Sequence, residues 1–213
     1  MSINLEKNIN NLIENYKKIG LNNRNELMST ILLMIVCYCD IDQSKYHISS
    51  SYAIRDFKPV SDLDLAMEEN EWKKLDKFLP KKFGESGIYN GDLRYLIKFS
   101  NLDEDAELEI FCKNSKKGYP NNRFSHNSLQ NKFLKDSYGH LYYSLDTFVN
   151  WKSTVHRNKD KDHIVLLKNN IKRISNNKNG PNKLKTMGLP NSNSTNHLIK
   201  KMDNVLSNWN KKN

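Results

Sequence analysis

Residues 62–67 (DLDLAM) alternate acidic and apolar side chains with a period of two. This period is typical of a β-strand with two different faces, because successive side chains of a strand point to opposite sides of the sheet. Leu63 and Leu65 are predicted to face a core, and Asp62 and Asp64 to project together from the other side. Two carboxylates on one strand face can bind a divalent cation, and their hard oxygen atoms suit Mg²⁺. The alternative is a solvated strand face with no ligand.

A second pair of strands is predicted at residues 93–99 (LRYLIKF) and 106–112 (AELEIFC), joined by a short turn as an antiparallel hairpin. Glu107 and Glu109 share one face of the second strand. A carboxylate from a neighbouring strand would complete a two-metal site, and Glu109 is preferred because it lies in the middle of its strand. Glu107, nearer the turn, remains the alternative. Without a cation, these carboxylates would repel Asp62 and Asp64.

The rest of the chain predicts an α+β fold, namely a mixed β-sheet with flanking helices and a C-terminal helical lobe. The apolar stretch at residues 27–39 is too short to span a membrane and predicts a buried core helix. Further helices are predicted at residues 3–19, 70–79, 141–155 and 160–174 and a strand at 45–49. Residues 49–60 are predicted as a loop or a short turn of helix, and residues 80–92 and 113–127 as loops.

Composition divides the chain into three parts. Residues 1–127 are predicted to form the sheet-containing core, and residues 128–175 the helical lobe. Residues 176–213 are rich in Asn, Lys, Gly, Pro and Ser, which predicts a basic, low-complexity and partly disordered tail. Within that tail, residues 197–209 are compatible with one short amphipathic helix.

The formal net charge of +10 favours polyanionic partners such as nucleic acids and nucleotides over cationic substrates. The alternative is a Lys-rich composition that only keeps the protein soluble. Three cysteines without a CxxC pair argue against a disulfide framework or a structural zinc site. The polar N-terminus has no signal peptide, so the chain is predicted to be cytoplasmic and without a membrane partner.

Residues 49–67 (SSSYAIRDFKPVSDLDLAM) resemble the signature of the nucleotidyltransferase superfamily that includes DNA polymerase β. That signature is a Gly-Ser turn, a short spacer, an Asp-x-Asp pair and a later acidic residue on a nearby strand. Ser50 and Ser51 stand at the Gly-Ser position, and Asp62 and Asp64 at the Asp-x-Asp pair. Ser50 departs from the pattern, because glycine is the residue that lets a backbone approach phosphate closely.

Residues 151–167 (WKSTVHRNKDKDHIVLL) resemble a K…R-x-K-D…L element of small nucleotidyltransferases, among them antibiotic-modifying enzymes and toxin-like abortive-infection proteins. The matching residues are Lys152, Arg157, Lys159 and Asp160, and His163 stands where the element commonly has Asp. Lys152 and Arg157 are candidates to contact triphosphate oxygens, whereas Asp160 orients one of them or caps the next helix. The alternative is a charged corner between two helices.

Together, these resemblances imply an enzyme that transfers a nucleoside monophosphate from a triphosphate such as ATP to an acceptor hydroxyl, with release of pyrophosphate. The implied metal ligands and catalytic residues are Asp62, Asp64 and Glu109, which would hold Mg²⁺ or Mn²⁺. The implied nucleotide-binding residues are Ser50, Ser51, Arg55, Lys152, Arg157 and Lys159. The basic charge favours RNA or tRNA as the acceptor. The alternative function, favoured by Ser50, is a non-catalytic nucleic-acid- or nucleotide-binding module on the same fold.

Overall fold

A computed structural model describes residues 4–19, 24–58, 62–79, 81, 84–89, 92–99, 102, 106–112, 133–155 and 157–210. Its elements in chain order are α1 (Leu5–Ile19), α2 (Arg24–Tyr38), β1 (Tyr46–Ile48), β2 (Asp62–Met67), α3 (Glu69–Phe78), β3 (Glu85–Tyr89), β4 (Asp92–Phe99), β5 (Ala106–Cys112), β6 (Phe133–Lys135), β7 (Leu141–Tyr143), α4 (Leu145–Val155), α5 (Asn158–Ser175), α6 (Gly180–Thr186) and α7 (Ser192–Asn210). A short 3-10 helix, the serine turn (Ser50–Ile54), follows β1.

The described strands form one seven-stranded sheet in the order β3-β4-β5-β2-β1-β7-β6. The pairs β2–β5 and β1–β7 are parallel, and the other neighbouring pairs are antiparallel. The sheet is therefore mixed, which confirms the predicted α+β class. The predicted hairpin is confirmed as well, because β4 and β5 pair antiparallel with Phe99 opposite Ala106.

Helices α1, α2 and α3 cover one face of the sheet and form the first hydrophobic core with it. The apolar positions of α1 that recur with helical period, such as Leu5, Ile9 and Ile13, are all buried. Leu63 and Leu65 of β2 lie in the same core and are fully excluded from solvent. The apolar face predicted for β2 is thus confirmed. None of the described helices has both the length and the apolar content needed to cross a bilayer.

Helices α4 to α7 form a lobe with its own hydrophobic core, which also includes Tyr143 of β7 and Ile54 of the serine turn. Composition predicted a partly disordered tail from residue 176 onward, but residues 180–186 and 192–210 are helical. The short helix considered at residues 197–209 is confirmed and is part of the longer α7. Widely spaced apolar residues of this segment are buried against α4 and α5, namely Leu184, Leu198, Met202 and Trp209. One apolar side chain per turn suffices for a packed helix, so an Asn- and Lys-rich composition hides the pattern.

Two short strands also differ from the sequence prediction. Residues 141–143, predicted as the start of a helix, form β7 and pair with β1 through Tyr142 opposite Ile48. The sheet therefore extends past the predicted boundary at residue 128. Residues 85–89, predicted as loop, form the edge strand β3, whose largely exposed side chains give no alternating apolar pattern. The loop predicted at residues 113–127 lies outside the described residues.

The corner between α5 and α6 depends on Gly180, which is buried against the end of α5. A Cβ atom at this position would lie 1.8 Å from the carbonyl oxygen of Ile174, so the two backbones would have to separate. We expect Gly180→Ala to lower the free energy of unfolding by about 1–3 kcal/mol, as overpacking does elsewhere. Urea denaturation measures this change.

The matched control is Gly87→Ala, because a Cβ atom on Gly87 would meet no atom within 4 Å. This variant should change the unfolding free energy by less than about 1 kcal/mol. Equal losses in the two variants would contradict the close approach of α6 to Ile174.

Candidate functional site

Four carboxylates lie side by side on the face of the sheet opposite the first core. Strands β2 and β5 pair in parallel, with Asp62 opposite Glu107 and Asp64 opposite Glu109. Neighbouring strands run about 4.8 Å apart, and residues paired in this way point to the same side. The side chains between them, such as Leu108, are buried on the other side. These four side chains, Asp62, Asp64, Glu107 and Glu109, are here named the carboxylate row. Asp64 is half-buried and Asp62 is exposed, so the row is open to solvent at the start of β2.

Strand β4 supplies two cations to this row. Arg94 Nη1 lies 2.6 Å from Glu109 Oε1, and Lys98 Nζ lies 3.4 Å from Glu107 Oε1. The structure therefore offsets part of the repulsion between the four carboxylates with protein cations. Sequence reasoning missed both residues, although their spacing in the predicted hairpin strand (LRYLIKF) places them on the same face of β4. In the observed register Lys98 lies opposite Glu107, whereas Arg94 lies opposite Phe111 and reaches Glu109 diagonally.

Asp62 and Asp64 fit a hard divalent cation by donor chemistry and by their shared, solvent-open face. Glu109 has a carboxylate of the same kind, but one of its oxygen atoms accepts the Arg94 hydrogen bond. Within the described ranges, no group of three or more His, Cys, Asp or Glu side chains is arranged to hold a metal ion. The part of the predicted donor set that fits Mg²⁺ is therefore the Asp62–Asp64 pair, and Glu109 as third ligand stays a prediction.

The serine turn begins directly beside Asp64. The backbone N–H of Ser49 donates to the carbonyl oxygen of Asp64 at 2.7 Å, and Ser49 Oγ donates to the same oxygen at 3.1 Å. These bonds extend the β1–β2 pairing by one residue. They fix the position of the backbone immediately before Ser50 and Ser51. The turn is thus at the end of β2 that carries the aspartates. Phosphate binding by Ser50 and Ser51 stays a prediction.

A buried ion-pair chain in the lobe ends at Arg157. Asp160 Oδ1 accepts a hydrogen bond from Lys152 Nζ at 2.6 Å, and Asp160 Oδ2 accepts one from Arg157 Nε at 2.8 Å. Lys152 and Asp160 are fully buried, whereas Arg157 is about one-third exposed. Asp160 also accepts a bond from the backbone N–H of Arg157 and so caps the start of α5. The two roles considered for Asp160, orienting a cation and capping a helix, are therefore met together.

Charge interactions link the buried ion pairs of Lys152, Asp160 and Arg157 to the carboxylate row. The pKa of Arg157 is raised by its hydrogen bond to Asp160, and the charges of Asp64 and Asp62 raise it further. Burial would raise the pKa of Asp160, but hydrogen bonds from Arg157 and Lys152 outweigh burial and lower it. Burial lowers the pKa of Lys152 to about 8, against the opposing effect of Asp160. Of these three residues, Arg157 is therefore the one whose charge interacts with Asp62 and Asp64.

Lys152 and Lys159, both predicted to contact phosphate, lie in different environments. The Lys152 ammonium is enclosed by Asp160 and by the ring of Trp151 at 4.3 Å. In this arrangement it supports Asp160, and a direct contact with phosphate stays a prediction. Lys159 is exposed in the first turn of α5, two residues after Arg157.

Lys58 and His163 join the site and were not predicted. Lys58 Nζ lies 3.1 Å from His163 Nε2, and because an ammonium group only donates, Nε2 accepts and the neutral ring carries its proton on Nδ1. Nδ1 is buried and has no hydrogen-bond partner among the residues that the structure describes. Burial, with help from the charges of Lys152 and Lys58, lowers the pKa of His163 to about 4. The sequence signal was His163 itself, which occupies a position where the resembled element commonly has Asp.

The neutral state of His163 predicts a loss of stability in mild acid. The unfolded chain binds a proton near pH 6.5 and the folded chain only near pH 4, so stability falls as pH drops through this window. Between pH 7 and pH 5 this residue should cost the fold about 1–2 kcal/mol. The charged groups that act on the ring are Lys58, Lys152, Lys159 and Asp160. The three lysines oppose its protonation, and Asp160 favours it.

Urea denaturation at pH 7 and pH 5 measures this effect. His163→Gln should lose less stability over this interval than the wild type. The control is His197→Gln, since His197 is exposed on α7. If His163→Gln and the wild type lose equal stability, the ring is not held neutral.

Arg55 lies in a separate pocket, away from the carboxylate row. Its guanidinium stacks over the rings of Tyr52 at 4.5 Å and Tyr142 at 4.1 Å. With Asp136 and residues of α2 it lines a polar pocket of ≈ 320 Å³. Tyr52 belongs to the first core, so this pocket is on the side of the serine turn that faces α2. A contact between Arg55 and nucleotide at the carboxylate row stays a prediction that these neighbours do not favour.

No protein-family model matches the chain. No curated protein matches it either. Two crystal structures from Helicobacter pylori are similar in fold. One is JHP933, with a TM-score of 0.35 and 12% identity over 84% of this chain and 91% of that one. The other, provisionally named a nucleotidyltransferase, has a TM-score of 0.33 and 11% identity over 85% of this chain and 95% of its own. At these scores, neither similarity carries an argument about the activity of this chain.

Proposed function

We propose that the chain is a nucleotidyltransferase that depends on Mg²⁺ and moves a nucleoside monophosphate from a triphosphate to an acceptor hydroxyl. The observation that carries this proposal is the parallel register of β2 and β5, which sets Asp62 and Asp64 beside Glu107 and Glu109 on one solvent-open face. The serine turn next to Asp64 and the charge of Arg157 near the aspartates support it.

Asp62, Asp64 and Glu109 are the proposed ligands of Mg²⁺, which when bound would neutralise triphosphate charge and polarise the reacting phosphate. The remaining proposed contacts with the substrate come from side chains and backbone groups that do not bind the metal ion. Arg157, whose guanidinium is held by Asp160, is the proposed partner of phosphate oxygens, which a planar guanidinium pairs with well. Ser51 and backbone N–H groups of the serine turn are the proposed donors to the triphosphate tail. Glu109 is the proposed acceptor of the proton from the attacking hydroxyl.

RNA or tRNA is the proposed acceptor class. The formal charge of +10 raises the local concentration of polyanions and disfavours cationic small molecules. Direct evidence would come from incubating the protein with Mg²⁺, all four nucleoside triphosphates and total RNA, followed by mass spectrometry of the products. Nucleotide addition to an RNA supports the proposal. No product with RNA, DNA, protein or small hydroxyl acceptors would overturn it.

A second candidate function is a non-catalytic module that binds nucleotide or nucleic acid. Two observations favour it, namely Ser50 at the position where glycine is usual and the hydrogen bond from Arg94 that occupies Glu109. Thermal unfolding separates the two candidates, because a ligand stabilises the state that it binds. An enzyme should be stabilised by ATP only when Mg²⁺ is present. The module should be stabilised by polyanions in a salt-sensitive way and should not respond to Mg²⁺.

A further inference from the structure

Residues 157–210, the last described stretch of the chain, carry a large net positive charge. Residues 157–210 carry eleven Lys and Arg residues and three Asp residues, a net charge of +8 out of +10 for the whole protein. No acidic residue lies between Asp162 and Asp203. Helices α5, α6 and α7 therefore carry a large excess of cations over acidic residues.

Five of these cations lie at the junction of α5 and α6, here named the basic corner. Its members are exposed in the last turn of α5, in the connecting turn and on α6, and they are Lys172, Arg173, Lys178, Lys183 and Lys185. None of the five forms an ion pair with the part of the chain that the structure describes. By contrast, Lys168 pairs with Asp203 and Lys201 pairs with Asp146. The corner thus keeps its charge unneutralised.

The basic corner is a fixed surface. The N–H of Gly180 donates to the carbonyl oxygen of Asn177 at 2.8 Å, and the absence of a side chain on Gly180 lets α6 pack directly against the carbonyl of Ile174. Leu184 and Ile174 bury the inner side of the corner in the lobe core. The cations are therefore presented together from packed helices.

A structural role explains part of this charge, because cations in the last turn of a helix interact favourably with its dipole. That effect is small, about 0.3–1 kcal/mol for each exposed charge, and it gives no reason for Lys178 in the connecting turn. It also does not account for the lack of any acidic residue over this stretch. The surplus creates a positive potential, which attracts phosphate groups.

We propose that the basic corner docks the phosphate backbone of a nucleic acid. Amphipathic membrane-surface helices insert large apolar side chains beside their cations, and the exposed large apolar residues, Phe78, Ile88 and Val165, all lie outside residues 172–185. A membrane surface is therefore disfavoured. Exposed Asn176, Asn177 and Asn182 stand between the cations and suit hydrogen bonding to phosphate and sugar oxygens.

The length of α5 limits which ligands could contact both the corner and Arg157. Arg157 and Lys172 bound fifteen residues of chain at the start and end of α5, which corresponds to a rise of about 22 Å. A mononucleotide cannot span this length, whereas a nucleic acid of roughly seven or more nucleotides can. This step rests on the proposed function, since it places the acceptor end at Asp62 and Asp64. Docking at the corner does not require catalysis.

Binding of a fluorescein-labelled single-stranded RNA of about 24 nucleotides, followed by fluorescence anisotropy across a salt series, tests the proposal. Lys183→Gln with Lys185→Gln should weaken binding roughly tenfold near physiological salt and reduce the slope of log K against log salt by about 1.4. The matched control is Lys17→Gln with Lys18→Gln, which removes two exposed lysines from the last turn of α1. Circular dichroism confirms that each variant is folded.

Two outcomes overturn the proposal. Either the control loses as much RNA affinity as the corner variant, or the corner variant loses binding to vesicles of phosphatidylserine and phosphatidylcholine but not to RNA. The Asp64→Asn variant separates this proposal from the proposed function. If it binds RNA like the wild type but transfers no nucleotide, both stand. If the wild type transfers no nucleotide and the corner variant still loses RNA affinity, docking stands and the enzyme proposal fails.

Discussion

Replacing Asp64 with asparagine is expected to reduce nucleotide transfer at least about 100-fold while leaving the fold intact. Asp64 is half-buried, opposite Glu109 in the parallel register and beside the serine turn. Asparagine keeps the shape of the side chain but removes the negative charge that a hard cation requires. The change also removes a negative charge that raises the pKa of Arg157. Initial rates with labelled triphosphate and excess Mg²⁺ measure the loss.

The control for this variant is Asp76→Asn, which removes an exposed carboxylate from α3 on the other side of the sheet. It should retain wild-type rates, and both variants should have melting temperatures within a few degrees of the wild type. Wild-type turnover by Asp64→Asn would refute the metal assignment and leave the non-catalytic module as the better explanation of the site.

The carboxylate row shows which features of the site could be predicted from the sequence and which could not. The period of two in β2 and β5 gave the face of Asp62, Asp64, Glu107 and Glu109 correctly, because alternation is a property of each strand alone. The register between the strands was not predictable. It depends on how β2 and β5, separated by α3 and the β3–β4 hairpin, pack Leu63 and Leu65 against Leu108 and Ile110. Arg94 was missed for the same reason, since its bond to Glu109 exists only in one register.

The lobe was harder to predict because its helices are stabilised mainly by contacts between distant segments. Met202 and Trp209 each lie in an Asn- and Lys-rich stretch whose local propensity is weak. They become buried only once α7 lies against α5. Local composition then disagrees with tertiary packing, and packing decides.

The position of Lys152 shows the limit of motif reasoning. Its resemblance to a phosphate-contacting lysine came from spacing, which carries no information on burial. In the structure it is 1% exposed and acts on Arg157 through Asp160. The motif therefore selected the members of a buried ion-pair cluster, of which Arg157 interacts electrostatically with Asp62 and Asp64, while phosphate contacts by Lys152, Arg157 and Lys159 stay predictions.

The buried ion pair between Lys152 and Asp160 predicts the largest loss of stability from a single substitution. Asp160→Leu should lower the free energy of unfolding by about 3–5 kcal/mol, because Lys152 would remain buried without its counter-ion. Lys152→Met should cost less, since Asp160 keeps its hydrogen bonds from Arg157. The double variant, Lys152→Met with Asp160→Leu, should recover much of the loss because an apolar pair fills the same buried space. Urea denaturation measures all three.

The control for stability is Asp203→Asn, which breaks the more exposed ion pair with Lys168 and should cost at most about 1 kcal/mol. If Asp160→Leu costs no more than this control, water reaches Lys152 and the pair is not isolated. Activity gives an independent test. The recovered double variant should still transfer nucleotide slowly, because Arg157 loses the carboxylate that fixes its guanidinium beside Asp64. Recovery of both stability and activity would show that Asp160 only stabilises the lobe and does not position Arg157.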